Sequence, residues 1–258
     1  MQPLYWKIIG KGSLDLVLLH GWALNSKVWR NIVPLLNNHF KLHLIDLPGY
    51  GRSKECLAKN LNEIMNYIIP FLPKKSIILG WSLGGLIATQ LTLNFPNRFY
   101  GMIIVSSSPC FIEKKNWPGI KKKLLNDFLK QLTENFIKTL KNFLKIQTFN
   151  TNILYKDMNI LEKTLVKNSI PSIKTLSNGL NIIKKSDLRK KINTIKVPSL
   201  KIYGALDVLV PYRISNILDK NCMNTQSIII KSAAHAPFIS NPQLFCKHLV
   251  DFSNLILM

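Results

Sequence analysis

Three residues of this 258-residue chain have the types and settings that acyl transfer requires: Ser82, Asp207 and His235. A serine hydroxyl is a weak nucleophile at neutral pH. It gains reactivity from a histidine that takes its proton, and the imidazole needs a carboxylate to orient it. Ser82 lies in Gly80-Trp81-Ser82-Leu83-Gly84, after the apolar run Lys75–Leu79 and before Gly85–Leu91, with Leu83, Ile87 and Leu91 four apart. Gly-x-Ser-x-Gly between a strand and a helix is a nucleophile elbow, whose glycines let strand and helix pass closely. Asp207 and His235 each stand just past a later apolar strand, which makes His235 the general base, then acid, and Asp207 its orienter. The tetrahedral intermediate needs donors for its oxyanion, and the backbone N–H groups of Leu83 and of Trp22, in His20-Gly21-Trp22, are placed to supply them. His20 reads as a residue that holds this loop. Asp46 and Arg52, in Asp46-Leu47-Pro48-Gly49-Tyr50-Gly51-Arg52-Ser53, read as parts of a structural turn.

These residues need a scaffold that brings strand ends together. Leu4–Ile9, Asp15–Leu19 and Leu42–Asp46 read as strands, followed by the elbow strand and Met102–Ser106. A helix is expected to begin near Val28 behind a cap at Asn25-Ser26, and another over Leu61–Ile69 is stopped by Pro70. Strand signals vanish from about Phe111 to Asp187, and helical stripes take over: Leu124, Phe128 and Leu132; Phe136, Leu140, Phe143 and Leu144; Leu154, Met158, Leu161 and Leu165; then a helix over Ile173–Ile183. Strands resume at Val197–Gly204 and Ser227–Lys231, and a closing helix covers Pro242–Leu255. Alternating apolar strands and amphipathic helices specify a mostly parallel sheet flanked by helices, an α/β fold with its ligand site beyond the carboxyl ends of the strands. The expected organisation is a core of residues 1–110 and 188–258 with an all-helical cap, 111–187, inserted into it.

The hydrophobic fraction of 47% excludes a disordered chain, and no apolar run approaches the roughly 20 residues that span a bilayer. The opening residues lack a charged region followed by an apolar core, so the expected location is the cytoplasm. Cys56, Cys110, Cys222 and Cys246 have neither zinc nor disulfide spacing, and His20, His39, His43 and His248 lack metal spacing; no metal or cofactor is expected. The net charge of +22 admits three readings: compositional drift toward Lys, Asn and Ile, an acidic protein partner, or nucleic acid. The positives are dispersed, without an Arg-rich arm or an aromatic-interleaved basic motif, which disfavours nucleic acid. Nothing suggests an exposed apolar seam, so the expected state is a monomer.

The chain resembles the α/β-hydrolase fold enzymes in His20-Gly21-Trp22, Asp46 to Ser53, Gly80 to Gly85, Tyr203-Gly204-x-x-Asp207 and Ala234 to Phe238. The order Ser, Asp, His is that family's. More narrowly it resembles the BioH-type carboxylesterases of biotin synthesis, through Ser107-Ser108-Pro109-Cys110-Phe111, Trp117-Pro118-Gly119-Ile120 and Ala233 to Ser240. The resemblance implies hydrolysis of the methyl ester of pimeloyl-acyl-carrier protein to methanol and the free acid. It also implies that Trp22, Ser82, Leu83 and His235 meet the substrate, with Phe143-Leu144-Lys145-Ile146-Gln147 along the acyl chain. An acidic carrier would meet positive charge on the cap, for which Lys138, Lys141 and Lys145 share one helix face and Lys156, Lys163 and Lys167 another. The family's cap arginines are largely absent: Asn142, Tyr155 and Asn159 stand where basic residues are expected.

The main alternative is a broad-specificity carboxylesterase acting on short free acyl esters without a carrier protein. A serine at the nucleophile position argues against a dehalogenase, whereas a carbon–carbon bond hydrolase shares the same three residues. A binding protein on a catalytically dead scaffold is disfavoured by the intact Ser82, Asp207 and His235 set.

Overall fold

The computed structural model describes residues 3–148, 161–162, 170–221 and 224–257. Seven strands form one sheet in the order β1-β3-β2-β4-β5-β6-β7. They are β1 (Trp6–Ile9), β2 (Leu14–Leu19), β3 (Phe40–Ile45), β4 (Ser76–Trp81), β5 (Phe99–Val105), β6 (Ser199–Gly204) and β7 (Thr225–Ile230). β1 runs antiparallel to β3; every other pairing is parallel. The helices are α1 (Val33–Leu36), α2 (Leu61–Ile68), α3 (Leu83–Asn94), α4 (Lys122–Glu134), α5 (Phe136–Gln147), α6 (Ile173–Lys185), α7 (Ile214–Asn221), α8 (Pro237–Ser240) and α9 (Pro242–Leu257).

Alternation along β2 divides the core. Val17 and Leu19 face a layer with Ile64 and Ile68 of α2 and Leu86, Ile87 and Leu91 of α3. Leu16 and Leu18 face the other layer, with Trp29, Phe238 and Phe245, Leu249 and Phe252 of α9. Successive side chains of a strand point to opposite faces, so unbroken apolar runs specify a sheet covered on both sides. The carboxyl ends of β2, β4, β6 and β7 therefore reach one edge, where the loops holding Trp22, Ser82, Asp207 and His235 begin.

Two local expectations change. The helix expected near Val28 is a 3₁₀ turn, Ser26–Asn31, capped by Asn25, whose side chain accepts from the Lys27 N–H at 3.0 Å. Pro34 then sits in the first turn of α1, where a missing N–H costs nothing. In α4 the buried positions are Leu125 and Leu132, while Leu124 is 63% exposed. Leu154, Met158 and Leu165 lie outside the described residues; Leu161 is helical and buried. Between β5 and β6 the described chain contains α4, α5 and α6 and no named strand. No described helix is long and apolar enough to cross a membrane.

Candidate active site

Ser82 occupies the turn between β4 and α3 with φ 54° and ψ −117°, a conformation that costs a non-glycine residue about 1–3 kcal/mol. The surroundings hold it there. Its N–H donates to the Val105 carbonyl at 2.9 Å, and its carbonyl accepts from the N–H groups of Gly85 (2.9 Å) and Leu86 (3.2 Å) and from the Ser107 hydroxyl (2.6 Å). Glycine is required on either side, since a Cβ on Gly80 would collide with the Gly84 carbonyl and one on Gly84 with the Leu19 carbonyl.

Asp207 follows β6, and its Oδ1 accepts from the N–H groups of Leu209 (2.8 Å) and Val210 (3.0 Å). Oδ2 is left for His235, whose Nδ1 lies 2.8 Å away. Both side chains are buried, at 0% and 2% exposure. A carboxylate at Nδ1 fixes the proton there and leaves Nε2 as the acceptor a nucleophilic serine needs. The His235 backbone is held at both ends: its N–H donates to the Gln147 carbonyl at 3.1 Å, and its carbonyl accepts from the Trp81 indole at 2.7 Å. Ser82 and His235 open onto one cavity, though no hydrogen bond joins them among the described residues. Such bonds often tighten only when substrate is bound.

His20 behaves as the loop holder expected of it. The Leu47 N–H donates to its Nε2 at 2.9 Å, so Nδ1 carries the proton and donates to the Gly21 carbonyl at 2.8 Å. Burial lowers its pKa, which keeps the ring neutral. Asp46 accepts from the N–H groups of Ser26 (2.8 Å) and Arg52 (2.9 Å), consistent with a turn former. The Trp22 indole donates to the Leu176 carbonyl of α6 at 2.9 Å, and its ring meets Phe143 edge-on at 4.8 Å. The backbone N–H groups of Trp22 and Leu83 have no protein partner among the described residues.

The cavity has a volume of about 300 Å³ and apolar walls that include Phe111, Leu125, Phe128, Phe143, Leu180 and Ile183. Within the Phe143–Gln147 stretch, only Phe143 and Ile146 line it. Helical spacing puts Thr139, Asn142, Phe143 and Ile146 on that face. Leu144 turns into the core, Lys145 is exposed, and Gln147 is buried, reaching the site through its carbonyl. Leu83 is fully buried and reaches the site only as backbone. Lys138 and Lys141 are exposed and outside the lining; Lys156, Lys163 and Lys167, with Tyr155 and Asn159, lie outside the described residues. On α4, the lining residues Leu124, Asp127, Phe128 and Gln131, beside Leu125, were missed although a spacing of three, four and seven is a helical face. Their mixed polarity hid them.

The sequence pattern of the α/β-hydrolase fold family matches residues 16–242. A pimeloyl-[acyl-carrier protein] methyl ester esterase of Wigglesworthia glossinidia brevipalpis is 51% identical over 254 residues, 98% of each chain. The protein of that name from Pectobacterium carotovorum is 44% identical over 253 residues, 98% of this chain and 99% of the relative. Among solved structures, an esterase from Exiguobacterium antarcticum superposes with a TM-score of 0.86 at 20% identity, covering 97% of this chain and 95% of that one. A bromoperoxidase from Bacillus anthracis gives 0.85 at 19% identity, with the same coverage. At such identities the structures share a fold and nothing narrower. From strand order, sequence pattern and full-length relatives alike, the chain belongs to the α/β-hydrolase fold family and, within it, to the pimeloyl-[acyl-carrier protein] methyl ester esterases.

Proposed function

We propose that this protein is a serine carboxylesterase that hydrolyses the methyl ester of pimeloyl-acyl-carrier protein, releasing methanol, as a step in biotin synthesis. The observation that carries the reading is the buried Asp207–His235 pair, whose His235 shares an apolar cavity with the strained Ser82. The names of the full-length relatives supply the substrate. Ser82 Oγ attacks the ester carbonyl as His235 Nε2 takes its proton, and the backbone N–H groups of Trp22 and Leu83 receive the oxyanion. Methanol departs with the proton from His235 and leaves an acyl group on Ser82. Water, deprotonated by His235, then attacks the acyl carbonyl, Ser82 regains its proton and the free carboxylate leaves. No cofactor takes part.

In this reading residues 111–187 are a cap over a core of 1–110 and 188–258, and Phe143 and Ile146 border the acyl chain. The enzyme is a cytoplasmic monomer, and the carrier approaches the lysine face of α5, Lys138, Lys141 and Lys145, with Lys156 as a further contact. Lysines steer an acidic partner by long-range attraction but lack arginine's bidentate fork. The uncharged Asn142 at the cavity favours a second reading, a carboxylesterase of short free esters.

Turnover of pimeloyl-carrier methyl ester beside a short p-nitrophenyl ester, by wild type and Ser82→Ala, separates the two. Strong preference for the carrier-bound ester, with both activities lost in the variant by about 10⁶-fold or to background, supports the first reading. Turnover of the free ester alone supports the second.

A further inference from the structure

The cavity changes character along its length. Ser82, His235 and Trp22 are buried at its inner end, and apolar walls follow. At the solvent end, α4 contributes Asp127 and Gln131, four residues apart on one face, and α5 contributes Asn142. All three are exposed, so this is where the cavity opens, beside the apolar Leu124 and Ile146. In a chain of net charge +22, no lysine or arginine lines the cavity among the described residues. Asp127 is the one acidic residue in the lining among the described residues. Its Oδ2 meets the Lys123 ammonium at 3.2 Å, and its Oδ1 has no protein partner among the described residues.

That set of groups selects a chemistry. A carboxylate accepts N–H donors, and two primary amides both donate and accept, so together they match the two sides of a secondary amide. An anion entering here would face Asp127 first and then lose its hydration against apolar walls. A cavity of about 300 Å³ admits an acyl chain but no carrier domain, so whatever tethers the chain must pass the opening. We propose that Asp127, Gln131 and Asn142 form a subsite for a secondary amide in the arm that joins the acyl chain to its carrier. In addition, Asp127 turns away acyl esters whose far end is a free carboxylate. This deepens the reading above and rests on it: Ser82 must cleave an ester in this cavity.

Three small methyl esters of the same seven-carbon diacid test the subsite without any carrier: one ending in a second methyl ester, one in an N-alkyl amide and one in a free carboxylate. For the wild type, kcat/KM falls from the amide to the diester to the free acid. Asp127→Asn raises kcat/KM on the free acid relative to the diester about three- to fivefold, through KM. Added salt gives the wild type a similar gain, because it screens exposed charge. Gln131→Leu combined with Asn142→Leu lowers kcat/KM on the amide relative to the diester about fivefold or more, again through KM. Variants that shift all three esters by one common factor overturn the subsite and leave the esterase reading intact. So does a wild type that prefers the free acid. A wild type that turns over none of the three, no faster than Ser82→Ala, overturns the esterase reading and the subsite with it.

Discussion

The Ser107 hydroxyl donates a 2.6 Å hydrogen bond to the Ser82 carbonyl, so the loop after β5 holds Ser82 in its strained conformation. Ser107 is itself anchored, its carbonyl accepting from the buried Tyr203 hydroxyl at 3.1 Å. Ser107→Ala is expected to lower kcat on a small p-nitrophenyl ester about tenfold with KM little changed, since it loosens the nucleophile and not the acyl site. Tyr203→Phe, one bond further out, gives a smaller loss of the same kind. Steady-state kinetics decide this, and a loss confined to KM would remove Ser107 from the positioning of Ser82.

Two neighbouring glycines respond differently to a methyl group. A Cβ on Gly85 would come to 2.5 Å from the Ser107 Cβ, a side-chain atom that a second substitution can delete. A Cβ on Gly84 would collide with the backbone carbonyls of Leu19 and His20. Gly85→Ala should cost about 1–3 kcal/mol, with part of it restored by Ser107→Gly in the same chain. Gly84→Ala should cost more, with no restoration. Urea unfolding of the four variants measures both.

Acid weakens the fold through histidines that are kept neutral. Burial lowers the pKa of His20 and of His248 below 6.5 in the folded chain. As pH falls through 6.5 the unfolded chain takes up these protons first, so stability is full above that value and declines below it. His20 contributes most directly, because its Nε2 accepts from the Leu47 N–H and protonation would break that bond. The urea midpoint should drop between pH 7 and pH 5, and less steeply in His20→Gln. An equal slope in both proteins would assign the acid sensitivity elsewhere.

Phe143 lines the cavity and meets the Trp22 ring edge-on at 4.8 Å. Phe143→Ala should raise KM for a long-chain acyl ester about tenfold and leave an acetyl ester nearly unaffected, because only the longer chain reaches that wall. A comparable rise for both would mean that the ring serves Trp22 alone.

The central strands were legible from their apolar runs, and because Ser82, Asp207 and His235 each follow such a run, the structure brings Asp207 to His235 and opens Ser82 and His235 onto one cavity. The residues that line the cavity were less legible. Phe143 and Ile146 line the cavity while helix phase turns Leu144 and Lys145 away from it, which a continuous five-residue stretch conceals. The α4 wall escaped notice because Asp127 and Gln131 interrupt its apolar pattern with groups that face an opening rather than the core. Leu124 shows the converse: it fits a periodic stripe yet is mostly exposed, since the buried stripe of α4 runs through Leu125 and Leu132. Sequence also gave no sign of the Gln147 contact with His235, which is made by a backbone carbonyl and so leaves no mark on residue type.

That contact has a mechanical consequence. The Gln147 carbonyl ends α5, and the amide it receives belongs to the partner of Asp207. The helix that carries Phe143 and Ile146 is thereby bolted to the backbone of His235, and a substitution that shifts the one is transmitted to the other.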